Sequence, residues 1–440
     1  MNYEFFKKLI KTDLHVFGIF LFLIFLVWKI SFYFPAWDEW DFIAEYVSGN
    51  VNYLLPHVEH FKPFFKIFYF LELKFFNAHF LYYHYVNLLF HALTGLVLFK
   101  VLNNFIRSRA ISFLSTLFFL FNLYHSQVVL SNFGICTILN VFVFLLAWLF
   151  LQKYLIQNKK YLIWISFSLA FLQAYFFGQG LILPIVLILY LILFYKNKKQ
   201  LYYSMGYFLI LIVNAVIYII FAGKNITVSS HSLAFSDFFG IFKYFLYAVS
   251  MNLVKATALL SIHSAVILIV FILFILSVFW LYKLKAQDLS KVLIFSTIFY
   301  AINFVLISLT RFNYSLEQSL AGRYTYYFLI PIGFYIAYFI YEVFKAEKYK
   351  KLFSAIFILY FGYYFTASYF SIQDLKEFRK ELDMNNYVVL ANYIKNGQIV
   401  GELKSLHPTR TIDNIVEIYV DFINKSIEED VNFKKLLDIM

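Results

Sequence analysis

Stretches of mostly apolar residues, each about as long as a bilayer is thick, recur along this chain and restrict its fold more than any other feature. A membrane-spanning helix needs about 20 such residues, and about eleven stretches of the 440-residue chain qualify. They lie near 14–34, 81–101, 111–130, 135–152, 161–177, 180–195, 202–222, 263–282, 291–309, 326–344 and 352–370. Apolar residues make up 62% of the chain and charged residues 14%, whereas soluble domains contain roughly 45–50% and about 25%. The sequence therefore predicts an all-α, polytopic transmembrane helix bundle.

The connections between these stretches alternate in charge. Lys and Arg are concentrated in residues 1–13 and in the short connections 102–110, 153–160, 196–201, 283–291 and 345–351. The connections at 131–134 and 178–179 contain neither residue type. Because short basic connections stay in the cytoplasm, the N-terminus is predicted inside and, with an odd number of spans, the C-terminus outside. Residues 1–370 are then a transmembrane domain, and the polar residues 371–440 are a small soluble helical tail on the outside.

An acidic segment follows the first apolar stretch directly. Pro35 suits the start of a helix, and on such a helix Asp38, Asp41 and Glu45 would share one face through their i, i+3, i+7 spacing. Carboxylates held together at a bilayer surface are partly desolvated, so they are better proton acceptors. Asp38, Glu39 and Asp41 are therefore candidate catalytic residues. The alternative is that they form the solvated face of an interfacial helix.

The rest of the first predicted outside segment combines histidines with an aromatic run. The spacing of His57, Glu59 and His60 matches no metal-ligand motif, so no metal site is predicted. The aromatic run 64–76 is interrupted by charges, which favours a second interfacial helix over a span.

Polar residues also mark the predicted outer ends of several spans. The second span carries His84, Asn87 and His91 on one face, and His125 lies near the outer end of the third. These groups are candidates for ligand contacts or for hydrogen bonds between helices. Arg311 and Arg323 lie at the outer membrane edge, where they could clamp a phosphate or extend to lipid headgroups.

The order of these motifs resembles the GT-C superfamily of membrane-embedded glycosyltransferases, which includes protein O-mannosyltransferases and aminoarabinose transferases. The resemblance covers roughly residues 14–195. It is carried by the acidic pair Asp38-Glu39, by His60-Phe61-Lys62-Pro63, by Tyr83-His84 with Asn87 and His91, by Tyr124-His125-Ser126, and by the helix start from Gly180 to Pro184.

This resemblance implies transfer of a sugar, with inversion, from a polyprenyl-phosphate donor to an acceptor hydroxyl on the outer face. Asp38 would be the base, Glu39 would contact the acceptor or the donor, and Asp41 would also belong to the catalytic group. The residues expected to bind the donor phosphate are Arg311, Arg323 and Tyr324. Further substrate contacts are expected from Glu59, His60, Lys62, His84 and His125. The expected partners are membrane lipid, the lipid-linked donor and a glycan, lipid or protein acceptor. No cofactor is expected, with a divalent metal as the less favoured alternative. No nucleic acid is expected, since the basic residues are spread through short loops.

Two other functions remain open at this stage. A polysaccharide polymerase of the O-antigen type would also have many helices and outer arginines. A lipid-linked-sugar flippase or another transporter would usually place ionisable residues near mid-membrane. Richness in Phe, Ile, Lys and Asn favours a bacterial inner membrane as the location.

Overall fold

The computed structural model is helical wherever it describes regular structure, and its described residues contain no strand. The described residues are 3–31, 33, 35, 39–49, 51–54, 61–77, 79–122, 125–195, 198–222, 240, 291–292, 294–299, 301–302, 326–327, 330–331, 333–334, 336–338, 340–341, 350–396, 415, 417–418 and 420–422.

Eleven α-helices have defined bounds. They are α1 (Tyr3–Trp28), α2 (Glu39–Val47), α3 (Pro63–Phe76), α4 (Phe80–Ile106), α5 (Arg109–Leu120), α6 (Ser126–Val129), α7 (Ile135–Gln157), α8 (Lys160–Leu172), α9 (Leu183–Phe194), α10 (Lys198–Ala222) and α11 (Lys350–Asn396). Short 3-10 turns at Asn132–Gly134, Gln173–Tyr175 and Gly178–Leu181 connect them. The described parts of the predicted spans 291–309 and 326–344 are also helical, and the predicted span 263–282 lies outside the described residues.

Three helical segments of the described chain are long and apolar enough to cross a membrane. They are Phe80–Ile106, Asn132–Gln157 and Leu201–Phe221. The segments Leu14–Trp28, Arg109–Leu120 and Gly178–Phe194 are apolar but shorter.

Helices α5, α8 and α9 are shorter than the predicted spans for local reasons. The predicted span 111–130 ends as a helix at Leu120, where the Phe121 N–H closes the last turn onto the Leu117 carbonyl. Helix α5 has 12 residues, about 18 Å at 1.5 Å per residue. Pro184 starts α9 at a position where its missing N–H is harmless. The short α6 and the 3-10 turns supply the remaining length of these segments.

The connections predicted to lie outside meet at one end of the helix bundle. There the Trp28 indole N–H donates to the Leu120 carbonyl at 3.0 Å, which joins the end of α1 to the end of α5. Asn140 of α7 donates to the carbonyls of Gln173 and Phe177 at 2.6 and 3.1 Å, which holds the α8–α9 connection at the same end. Near the opposite end, Asn104 of α4 donates to Gln152 of α7 at 3.2 Å.

Helix α11 continues through the predicted domain boundary at 370/371 without a break. Its buried residues Ile372 and Val389 belong to the same hydrophobic cluster as the cores of α1 and α4, and so does Phe422. The Phe422 ring stacks on Phe80 of α4, with ring centroids 5.8 Å apart. A division into domains 1–370 and 371–440 stays a prediction, but the described tail residues pack against the bundle.

Candidate functional site

The sequence-predicted site residues fall into two groups. Glu39, Asp41, Lys62, His84 and His125 are described. Six others lie outside the described residues, namely Asp38, Glu59, His60, Arg311, Arg323 and Tyr324. The site can therefore be built from the first group and from the residues that contact it.

Glu39 is the centre of a buried hydrogen-bond network. Its side chain has no exposed surface, and the Tyr33 hydroxyl donates to its two oxygens at 2.7 and 3.0 Å. The Ser131 hydroxyl and the Phe133 backbone N–H donate to Oε1 at 3.1 and 2.9 Å. Because both oxygens accept hydrogen bonds, Glu39 holds the first residues of α2 against the connection between α6 and α7.

The local sequence explains why this connection can reach Glu39. The 3-10 turn Asn132–Gly134 presents its backbone N–H groups, and the Asn132 N–H donates to the Tyr33 oxygen at 2.8 Å. Asn87 of α4 donates to the Ser131 carbonyl at 2.6 Å and fixes the turn from the other side. Gly134 is required for this approach, because a Cβ there would overlap the Val128 carbonyl.

Helix α2 differs from its prediction in where it starts and in what it buries. It begins at Glu39 rather than at Pro35, and Glu39 and Asp41 occupy its first turn, where negative charge interacts favourably with the helix dipole. Trp40, which follows Glu39, is also buried, since its side chain is 2% exposed. Its indole N–H donates to the Pro35 carbonyl at 3.1 Å. Asp41 is half-buried at the helix start.

Two lysines anchor α3 beneath α2. The Lys62 ammonium lies 4.1 Å from the centroid of the Phe133 ring. The centroids of the Phe42 and Phe65 rings are farther from it, at 5.4 and 5.3 Å. Such contacts are cation–π interactions. The Lys66 ammonium pairs with the Glu45 carboxylate at 2.9 Å. Lys62 is 1% exposed, so in this structure it supports the aromatic packing around the Glu39 network.

Glu72 is a buried carboxyl group that the sequence did not identify as a site residue. It lies one turn beyond Tyr69 on α3, and neither its two oxygens nor the Tyr69 hydroxyl has a hydrogen-bond partner within the described residues. Burial, and then the nearby negative charge of Glu39, raise the pKa of Glu72 well above its usual value. Burial and the same charge also raise the pKa of Tyr69. In the sequence, the feature that could have pointed to Glu72 is the position of a glutamate within the aromatic run 64–76.

The polar stripe of α4 makes the interhelical hydrogen bonds that were one of its two predicted roles. Besides the Asn87 contact, His91 lies between the Tyr326 hydroxyl at 2.7 Å and the Leu120 carbonyl at 3.0 Å. The His125 ring packs on Tyr326, with ring centroids 4.3 Å apart. His84 and His125 are fully buried, and a ligand contact for either residue stays a prediction.

Helix α11 reaches the Glu39 network through Arg379. The Arg379 guanidinium lies 5.1 Å from the centroid of the Tyr33 ring, and its Nε pairs with the buried Asp383 carboxylate at 2.8 Å. Burial opposes the charge of Arg379, but Tyr33 and Asp383 outweigh burial and raise its pKa above the ordinary value. Sequence reasoning missed Tyr33, Arg379 and Asp383. Only the i, i+4 spacing of the last two was visible, and it indicates a helix pair rather than a site.

The chemistry of this arrangement is that of buried carboxyl groups supported by phenols and a guanidinium. Glu39 accepts hydrogen bonds and positions backbone, whereas Glu72 keeps its proton over a wider pH range than an exposed glutamate and can donate it to a bound polar group. Within the described residues no group of three or more His, Cys, Asp or Glu side chains could hold a metal ion. No family model matches this chain, and no curated protein gives a significant match to it.

Proposed function

We propose that this chain is an integral membrane glycosyltransferase that moves a sugar from a polyprenyl-phosphate donor to an acceptor hydroxyl, with inversion. The observation that carries the proposal is the buried Glu39 network. It ties the acidic segment after α1 to one end of the helix bundle, where the charge of Glu39 also acts on the buried carboxyl group of Glu72. Acid–base chemistry at one end of an apolar bundle needs carboxyl groups that are held in fixed positions there.

The apolar outer surfaces support a membrane location. One face of α10 exposes apolar side chains along its whole length, among them Leu201, Met205, Phe208, Ile212 and Ile219. Helix α3 exposes Phe64, Ile67, Leu71 and Phe75 while burying Lys66 and Glu72, which is the reverse of a helix on a soluble protein. Soluble monomers rarely expose apolar surfaces of this extent.

The finer topology belongs to the same proposal. The chain has about eleven spans, its N-terminus lies inside and its C-terminus outside, and the membrane is a bacterial inner membrane. The charge alternation of the connections supports this orientation. So does the arrangement of the connections 131–134 and 178–179, which were predicted to be outside, because both lie at the same end of the bundle as Glu39.

The reaction assigns each predicted residue a role. Asp38 removes the proton of the acceptor hydroxyl, whose oxygen then attacks the anomeric carbon while the bond from that carbon to the phosphate oxygen breaks. Arg311 and Arg323, with Tyr324, stabilise the charge that develops on the departing lipid phosphate. Glu39 acts as a positioning residue, because its oxygens are engaged by Tyr33, Ser131 and Phe133. Asp41, Glu59, His60, Lys62, His84 and His125 complete the proposed surroundings of the substrates.

The charge distribution favours this function over transport. None of α4, α7 and α10 contains an Asp or Glu, and His91 is the one basic residue near the middle of these three helices. Transporters usually have more ionisable residues near mid-membrane. The polymerase alternative usually has its large outer loop late in the chain. Here the acidic segment 35–80 comes early, and it is the one tied to the Glu39 network.

The test is release of lipid phosphate from a panel of synthetic polyprenyl-phosphate hexoses by the purified full-length protein. Asp38→Asn keeps the side-chain shape and removes the proton acceptor, so release should fall by about 10²–10⁴-fold. Asp374→Asn, an exposed carboxylate change on α11, is the matched control and should leave release within about twofold of wild type. Near wild-type turnover of Asp38→Asn would remove Asp38 as the base, and no release from any donor by wild type would overturn the proposed activity.

A further inference from the structure

A cleft separates the outer part of α1 from α11 just beyond the point where the two helices touch. The Gln373 amide and the Lys376 ammonium both donate to the Val27 carbonyl, at 3.3 and 3.1 Å, and so cap the end of α1. Beyond this contact the helices enclose a space of about 370 Å³. It is lined by Ile30 and by six polar or charged residues, whose aliphatic stems form much of its wall, namely Lys29, Ser31, Gln373, Lys376, Glu377 and Lys380.

The charge of this cleft suits a doubly charged anion. Three ammonium groups and one carboxylate line it, which leaves a net charge of two positive. Lys376 is committed to the Val27 carbonyl and Gln373, while Lys29 and Lys380 are exposed. A phosphomonoester carries about −1.5 to −2 charge at pH 7 and offers three acceptor oxygens. A phosphodiester carries only one negative charge and would leave one ammonium without compensation.

Apolar side chains lead to the cleft along both helices. On α1, Phe22 and Leu26 are exposed and precede Lys29 by two turns and one turn. On α11, the exposed side chains of Leu359, Tyr363 and Phe370 share the helix face that Gln373 and Glu377 continue. An aliphatic chain lying on these residues would remain in apolar surroundings while its headgroup entered the cleft.

We infer that this cleft binds the phosphomonoester headgroup of an amphipathic lipid, with the lipid chain lying along the exposed apolar residues of α1 and α11. The inference rests on the membrane placement proposed above and does not depend on the transfer reaction. Arg379 lies between Lys376 and Lys380 in the sequence and contacts Tyr33, so the cleft shares α11 with the Glu39 network. Lysines that merely extend to headgroups would need neither a cleft nor a particular phosphate.

The experiment uses the purified full-length protein in an uncharged detergent, with a photoreactive dodecyl monophosphate as the probe. Crosslinks should map to residues 22–31 and 370–380. The double variant Lys29→Gln/Lys380→Gln keeps the Lys376 cap and should weaken probe binding by roughly 10–30-fold, from about a tenfold or smaller effect for each lysine near a membrane surface. Lys159→Gln/Lys160→Gln, an exposed pair at the other end of the bundle, is the matched control and should change binding less than twofold.

Competition identifies the ligand class. Unlabelled dodecyl phosphate should displace the probe, whereas inorganic phosphate at equal concentration should not, because it lacks the chain. Phosphatidylglycerol, a phosphodiester, should compete at least several-fold more weakly. Unchanged probe binding in the double variant, with an unaltered unfolding temperature, would overturn the site. If inorganic phosphate displaced the probe as effectively as dodecyl phosphate, the assignment of a lipid ligand would be overturned. If phosphatidylglycerol did so, the assignment of a phosphomonoester would be overturned. If the wild-type protein bound the probe but released no lipid phosphate from any donor, that result would overturn the proposed function and leave the cleft assignment intact.

Discussion

Glu39 and Glu72 are both buried carboxyl groups near the first predicted outside segment, but the protein holds them differently. Glu39 receives hydrogen bonds from a phenol, a hydroxyl and a backbone N–H. Glu72 receives none within the described residues, and its oxygens face a low-dielectric interior. Donated hydrogen bonds favour the charged form of a carboxyl group, whereas burial without them favours the protonated form. Two chemically identical side chains therefore differ in role because of their surroundings.

The raised pKa of Glu72 predicts a specific dependence of stability on pH. A raised pKa means that the folded state retains the proton as pH rises past the usual value, so the stabilisation is fully present below that value. It is lost as pH rises through the folded-state pKa. Glu72→Gln keeps the shape and cannot titrate, so its free energy of unfolding should fall less than that of wild type between about pH 5 and pH 8. Denaturant unfolding in detergent across that range measures the difference.

The groups near Glu72 define the control for this prediction. Glu39 of α2, Tyr69 of α3 and Tyr83 of α4 are its titratable neighbours, and none of them is altered by Glu72→Gln. Glu381→Gln removes an exposed carboxylate on α11 and should give a curve that parallels wild type. If the Glu72→Gln curve also paralleled wild type, the assignment of a raised Glu72 pKa would be wrong.

At the scale of elements, the 3-10 turn Asn132–Gly134 and helix α11 act as supports for the start of α2. The turn contributes a backbone N–H to Tyr33 and brings the Phe133 N–H to Glu39. Helix α11 contributes the guanidinium that stacks on the Tyr33 ring. Neither element supplies a predicted catalytic residue within the described chain, yet both contact the Tyr33 and Glu39 side chains at the start of α2.

Gly134→Ala tests the turn. The added Cβ would overlap the Val128 carbonyl, a backbone atom that cannot rotate away. The turn must then move away from Glu39, and we expect unfolding free energy to fall by about 3 kcal/mol together with a loss of lipid-phosphate release. Gly18→Ala is the matched control, since nothing lies within 4 Å of its added Cβ, and alanine is the better helix former by about 0.5–1 kcal/mol. Equal stability of the two variants would show that the turn accommodates a side chain.

The ion pair between Arg379 and Asp383 tests α11. Removing Arg379 takes away the cation that the buried Asp383 carboxylate contacts at 2.8 Å, and breaking such a pair costs about 3–5 kcal/mol. We therefore expect Arg379→Met to lower the unfolding temperature strongly. The double variant Arg379→Met/Asp383→Leu removes both charges and should recover much of that loss. A double variant no more stable than Arg379→Met would mean that the stacking on Tyr33, rather than the ion pair, carries the stabilisation.

At the scale of the whole molecule, the described structure is a helix bundle whose buried carboxyl groups lie at one end and whose outer surface exposes many apolar side chains. The buried polar residues Glu39, Glu72, Asn122 and His125 belong to that end. The predicted basic connections, represented by Arg107 and Asn158–Lys160, lie where α4 ends and α7 passes into α8. A bundle that separates its polar groups in this way has two unlike faces, as one-sided chemistry at a membrane requires.

Cysteine labelling in intact cells tests the proposed orientation. The native Cys136 is 1% exposed, so an introduced cysteine will dominate labelling by a membrane-impermeant maleimide. Ser48→Cys and Asp374→Cys, both at exposed positions, should be labelled from outside. Asn158→Cys, equally exposed between α7 and α8, should be labelled only after the membrane is permeabilised. Protection of Ser48→Cys in intact cells would invert the topology and move the proposed active site to the cytoplasmic face.

The sequence by itself determined the helical class and the positions of most helices. Apolar length, with Pro63 and Pro184 at helix starts, is local information, and the structure confirms helices at every predicted span that it describes. Exact ends were less predictable, since the end of a helix such as α5 at Leu120 depends on a few polar residues that an apolar run tolerates.

Only the tertiary structure decided what surrounds the candidate residues. Glu39 meets donors 92 and 94 positions away in the chain, and Arg379 reaches Tyr33 from the other end of the sequence. Spacing along one helix indicates which side chains share a face, but it carries no information about which distant element supplies the partner for that face. Glu72 and Glu39 differ in their hydrogen-bond partners because of how α2, α3 and α4 pack together. The proton affinity of a carboxyl group depends on all the groups that replace water around it.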